Sequence, residues 1–249
     1  MTEEPIRLAK HLAALRGCSR REAEQLIDGG WVLVDGVMVD VPESRVRPSQ
    51  QVTVDPKAKP GPSLPVTLLL HKPAGYEAGA QPGKRGPALQ LLQRANRAPK
   101  DRSQERALTR HFAHQVCVTP LETAASGLVV FTQDARIQRK LLEDAALVEH
   151  ELIVEVKGEV PPEALAYLNR TPVIDGRAML PAKVSISRDS PETTGLRFAT
   201  KGHWPGQVAQ MCEAAQLQLT AIKRIRVGRM ALAGLEPGQW RYLMPYERF

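Results

Sequence analysis

Four prolines stand in the ten residues from Pro56 to Pro65, Pro-Lys-Ala-Lys-Pro-Gly-Pro-Ser-Leu-Pro. Each proline fixes φ and withholds an amide hydrogen, so neither a helix nor a central strand runs through such a stretch. The chain is therefore expected to fold as two pieces, residues 1–56 and 65–249, joined by a semi-extended linker at 57–64. With 249 residues and 43% apolar content there is material for a sizeable core.

In the first piece Ile6, Leu8, Ala9, Leu12 and Leu15 recur at helical spacing, with Arg7, Lys10 and Arg16 on the other positions. Gly17 ends that helix. Ser19-Arg20-Arg21-Glu22 is a capping box, and Ala23, Leu26 and Ile27 give the second helix its apolar stripe. Gly29-Gly30 stops it. Trp31 to Val34 and Val37 to Val39 then flank Asp35-Gly36, a type I′ hairpin signal because both central residues accept positive φ.

No run of 18 apolar residues occurs, and Met1-Thr2-Glu3-Glu4-Pro5 lacks the layout of a signal peptide, so a cytosolic protein without a membrane span is expected. Cys18, Cys117 and Cys212 are odd in number and widely spaced. They read as free thiols in a reducing compartment, with no metal site and no cofactor expected. The net charge of +7 suggests a polyanionic partner, and its distribution is uneven. Residues 1–55 hold seven basic and nine acidic side chains. From Lys84 to Arg110, eight basic residues (Lys84, Arg85, Arg94, Arg97, Lys100, Arg102, Arg106, Arg110) face only Asp101 and Glu105. That segment reads as a basic arm, interrupted by the apolar run Leu89, Leu91, Leu92.

The second piece opens on the strand Val66 to Leu70, which leads into His71-Lys72-Pro73-Ala74-Gly75. Further on, Thr119-Pro120-Leu121-Glu122-Thr123-Ala124-Ala125-Ser126-Gly127-Leu128 runs into the apolar strand 127–132. A helix is expected over 134–144, a strand from His150 to Val156, a short helix opened by Pro161-Pro162-Glu163, and a hairpin from Val173 to Lys183. Gly206 to Ala215 reads as a helix and Leu217 to Val227 as a strand.

Two short helices followed by a hairpin, with Arg20-Arg21 opening the second helix, resemble the S4 RNA-binding domain over about residues 5–55. The second piece resembles the S4-domain ribosomal RNA pseudouridine synthases. Lys72-Pro73-Ala74-Gly75 is similar to their Lys-Pro-x-Gly, and residues 119–128 to their Gly-Arg-Leu-Asp loop ending in Gly-Leu. The tail Lys223-Arg224-Ile225-Arg226-Val227-Gly228 to Leu243 is similar to their closing motif. The resemblance implies an α+β chain: a small N-terminal S4 domain, then a mixed, largely antiparallel sheet with flanking helices.

It also implies which residues matter. In that family one Asp carboxylate acts as nucleophile or base on a flipped-out uridine, and here it falls on Glu122. The extra methylene displaces the carboxylate by roughly 1.5 Å, and a misplacement of about 1 Å costs on the order of 10²-fold. The family's Arg two residues earlier becomes Pro120, its base-stacking Tyr becomes Leu152, and the helix Arg implied to pair with the Asp becomes Ala209. These joint losses point to a site no longer selected for chemistry. The expectation is a monomeric RNA-binding protein, degenerate as an enzyme and acting on structured RNA such as ribosomal RNA. Its implied contacts are Arg7, Lys10, Arg16, Arg20, Arg21, Lys72, Lys84, Arg85, Arg94, Arg97, Lys100 and Arg102. The rivals are an active uridine isomerase using Glu122 and a protein-interaction or ribosome-assembly factor.

Overall fold

The computed structural model describes residues 4–79, 87–170, 173, 174, 176–178, 180–202 and 204–249, and the chain divides into two compact units. The first contains Met1–Pro65 together with Gln104–Ala113; the second contains Val66–Ser103 and His114–Phe249.

In the first unit β1 (Ile6–Arg7) runs into α1 (Leu8–Arg16), which buries Leu8, Ala9 and Leu12. Gly17, at φ 62°, ends α1 by returning its amide to the Ala13 carbonyl. The expected capping box opens α2 (Arg20–Asp28): Glu22 N donates to Ser19 Oγ at 3.2 Å, and Ser19 N to Glu22 Oε2 at 2.9 Å. Strands β2 (Val32–Val34) and β3 (Val37–Val39) form the hairpin, with Asp35 at φ 50° and Gly36 at φ 79°. After β4 (Arg45–Val46), which pairs with β1, β5 (Val52–Val54) joins β2 on its other side. Leu8, Leu12, Ile27 and Val32, each fully buried, centre this unit's core.

Residues 104–113 belong to the same unit, which alters the reading of a continuous basic arm. The Arg106 guanidinium lies 4.1 Å from the Trp31 ring centre and donates to Gly30 O at 2.6 Å and to Asp55 Oδ2 at 2.8 Å. Leu108 is buried, and Thr109 donates from its amide and hydroxyl to the Asp40 carboxylate at 2.5 and 3.0 Å. Lys84 and Arg85 lie outside the described residues.

The second unit is built on one sheet. Its strands are β6 (Thr67–Lys72), β7 (Val116–Cys117), β8 (Ser126–Thr132), β9 (Glu149–Lys157), β12 (Ala182–Asp189), β13 (Thr193–Lys201), β14 (Leu219–Val227), β15 (Met230–Ala231) and β16 (Trp240–Tyr242). A separate ladder pairs β10 (Val173–Ile174) with β11 (Arg177–Ala178). The expected hairpin thus ends at 178, and Lys183 belongs to β12 at the edge of the main sheet. Helices α3 (Ala135–Leu142), α4 (Pro162–Leu168) and α5 (Gln207–Ala214) accompany it.

The sheet order is β12-β13-β9-β14-β8-β6-β16, with β15 on β14 and β7 on β8. Every pairing in it is antiparallel except that of β14 with β8. Leu69, Leu128, Val130, Leu141, Val148 and Val227 are buried in one cluster, which anchors the strands on both sides of the parallel junction.

Candidate functional site at the parallel junction

Where β14 meets β8, Arg224 pairs with Gly127; on the other side of β8, Gly127 pairs with Lys72. Arg224 also pairs with Leu152 on β9, and Leu152 with Phe198 on β13. One cross-strand row therefore runs Phe198, Leu152, Arg224, Gly127, Lys72, and its side chains share a face. Gly127 supplies the gap. At φ 121°, a Cβ there would stand 2.2 Å from Arg224 O and 2.5 Å from Arg224 N, so no other residue lets the two strands close.

The loop carrying Glu122 is tied across this row by two buried cations. Arg224 Nε donates to Leu128 O at 2.7 Å, Nη1 to Pro120 O at 3.0 Å, and Nη2 to Thr119 O at 2.6 Å. Burial pulls the Arg224 pKa down to about 10, so it remains a cation at neutral pH. Lys72 Nζ donates to the carbonyls of Pro73 (3.1 Å), Tyr76 (2.6 Å), Thr123 (3.3 Å) and Ala125 (2.5 Å). It thereby joins the Lys-Pro-Ala-Gly turn to the Glu122 loop, which Gly75 N also reaches through Thr123 O at 2.7 Å.

Glu122 is half-buried with both carboxylate oxygens shut off from solvent. Its charge raises the pKa of Lys72 and of Arg224, against the larger effect of their burial, which takes Lys72 down to about 8. His71, on the opposite face of β6, instead bonds Leu235 O through Nδ1 at 2.8 Å.

The structure gathers Glu122, Pro120, Leu152 and Lys72 around Arg224. Pro120 contributes its carbonyl, and Leu152 is fully buried. Ala209 lies half-buried on α5, and among the described residues that helix gives the loop no hydrogen bond. The expectation that Lys72 meets RNA does not hold for the folded chain, because the side chain is 0% exposed and its ammonium is spent on carbonyls. Arg97 is likewise committed to packing: it pairs with Asp101 at 2.8 Å and covers the Tyr242 ring at 5.0 Å. Arg7, Lys10, Arg16, Arg20, Arg21, Arg94, Lys100 and Arg102 are exposed, with Arg20 bound to Glu24 at 2.9 Å.

Arg224 is the site residue that sequence reasoning missed as such. Its signal was an arginine at a position where the alternation of β14, through Ile222, places side chains inward.

The S4 domain family model matches residues 6–52. Over 92% of its length the chain is 28% identical to "Putative ribosomal large subunit pseudouridine synthase SVR1, chloroplastic" of Arabidopsis thaliana, and it spans only 56% of that protein. It is 29% identical to an uncharacterized RNA pseudouridine synthase of Aquifex aeolicus, covering 97% of this chain and 94% of the relative. Against ribosomal large subunit pseudouridine synthase B of Bacillus subtilis the identity is 29%, over 97% of this chain and 93% of the other. A solved pseudouridylate synthase structure matches with a TM-score of 0.59 at 18% identity over 96% of both chains, a likeness of fold.

Proposed function

We propose, from the premise that an S4 domain is here joined to a pseudouridine-synthase fold related to S4-domain RNA pseudouridine synthases, that the chain binds structured RNA and does not isomerise uridine. Ribosomal RNA is the target class that the relatives suggest. One observation carries the loss of chemistry: both Glu122 oxygens are closed off from solvent in a loop latched from two sides. A nucleophile or base acting on a flipped-out nucleotide has to be reachable from outside. The substitutions support the same reading. Leu152, buried beside Arg224, offers neither an aromatic face nor a hydroxyl to a base, and Pro120 offers no cation.

A second reading, an active isomerase using Glu122, draws on the retained charge and on the two cations flanking it. The two separate by turnover. Purified protein incubated with ribosomal RNA from cells lacking the related enzymes is expected to form no pseudouridine, and Glu122→Asp alone is expected to stay inactive. Stoichiometric modification that disappears in Glu122→Gln would overturn the proposal.

A further inference from the structure

The first unit holds a cation pair outside its two helices. Arg7 on β1 stands directly opposite Arg45 on β4, with Ile6 opposite Val46. Ile6 and Val46 face the core of the unit, so Arg7 and Arg45 share the solvent face. Leu8 N donates to Ser44 O at 2.7 Å, which makes Leu8 and Ser44 the hydrogen-bonded step of this ladder. The next step, Arg7 with Arg45, is then of the non-hydrogen-bonded kind, whose side chains stand closest.

Like charges opposed at that spacing destabilise a ladder. Among the described residues neither arginine has a carboxylate partner, although Glu4 and Glu43 lie nearby in sequence. Among the described residues Arg45 donates through Nη1 alone, to Pro5 O at 3.1 Å, which holds its guanidinium while the side chain stays exposed. Arg47, just past the end of β4 and also exposed, adds a third cation close by in sequence.

We propose that Arg7 and Arg45 together clamp one backbone phosphate of the bound RNA, with Arg45 as the preset half. This rests on the RNA-binding reading and extends it to a place away from α2. Two guanidiniums on opposed positions, one of them anchored, suit the bidentate geometry of a phosphate, and the anion would remove the repulsion within the ladder. With nine acidic against seven basic side chains over residues 1–55, a placed pair is more effective there than bulk charge.

The test is a titration of the full chain with a folded RNA hairpin and with a single-stranded oligonucleotide of equal length, across about 50 to 200 mM salt. Arg7→Gln and Arg45→Gln are each expected to flatten the salt slope by roughly 0.7–0.9, one phosphate contact. The double variant is expected to lose no more than either alone, because both arginines serve one phosphate. Arg45→Gln is also expected to leave the melting temperature unchanged or raised, which a merely structural arginine would not do. An unchanged slope in Arg45→Gln, or additive losses in the double variant, would overturn the clamp while leaving RNA binding intact. Absence of any salt-sensitive RNA binding by the unaltered chain would instead overturn the RNA-binding reading, and the clamp with it.

Discussion

Lys72 sits in an environment far from what its sequence context suggests. An exposed lysine is the ordinary case, yet this one is fully buried and its ammonium is surrounded by four carbonyls. Its pKa falls from 10.5 to about 8, chiefly through burial. A lowered lysine pKa means that the unfolded chain holds the proton over a range where the folded chain has released it. Stability attributable to this group therefore rises as pH increases from about 8 to about 10.5, with a slope approaching 1.4 kcal/mol per pH unit. The buried thiols of Cys117 and Cys212, raised from 9.0 to about 11 and about 12, oppose this above pH 9, so the rise is expected as the difference in denaturant unfolding between the unaltered protein and Lys72→Met across that window. In Glu122→Gln the rise is expected to begin at lower pH, since the carboxylate that raises the lysine pKa is gone.

At the level of elements, the junction of β8 and β14 depends on one missing side chain. Gly127→Ala would drive a Cβ into the Arg224 backbone at 2.2 Å, where backbone rather than a flexible tip must move. The expected cost is about 3 kcal/mol or more, read as a lower denaturation midpoint with an unchanged slope. Much of this sheet was legible. The strands at 127–132 and 150–156 and the helix after Gly206 follow from alternation, helical spacing and breakers. β13 was not read, although Leu196, Phe198 and Thr200 are buried while Arg197 and Lys201 are exposed. Gly195 and the threonines before it blur the start of that alternation. The cross-strand row was illegible for a deeper reason: Lys72, Leu152 and Arg224 meet through register, which single-strand patterns do not carry.

Across the whole molecule, the proline-rich stretch marks one passage of the chain, but the return at 104–113 carries no comparable mark. Arg106 and Thr109 find Trp31, Asp55 and Asp40 across more than fifty residues, and their charge pattern alone suggested a solvated arm. Leu108, 3% exposed, packs where Gly30 has no side chain. Leu108→Ala is expected to cost about 2–5 kcal/mol within the first unit. Amide exchange should accelerate in α1, α2 and β2 and not in β8; uniform acceleration, or none, would show that the segment is not part of that unit.

That discontinuity bears on synthesis. A ribosome releases the chain from its N-terminus, so α1, α2 and the β2–β3 hairpin emerge long before Arg106 and Leu108. Until then Trp31 lacks its guanidinium cover, Asp40 lacks Thr109, and the groove beside Gly30 is open. β6 has already emerged by that point. The N-terminal unit is begun first but finished only after the other has started, so a nascent chain halted before residue 104 would hold an incomplete S4 fold.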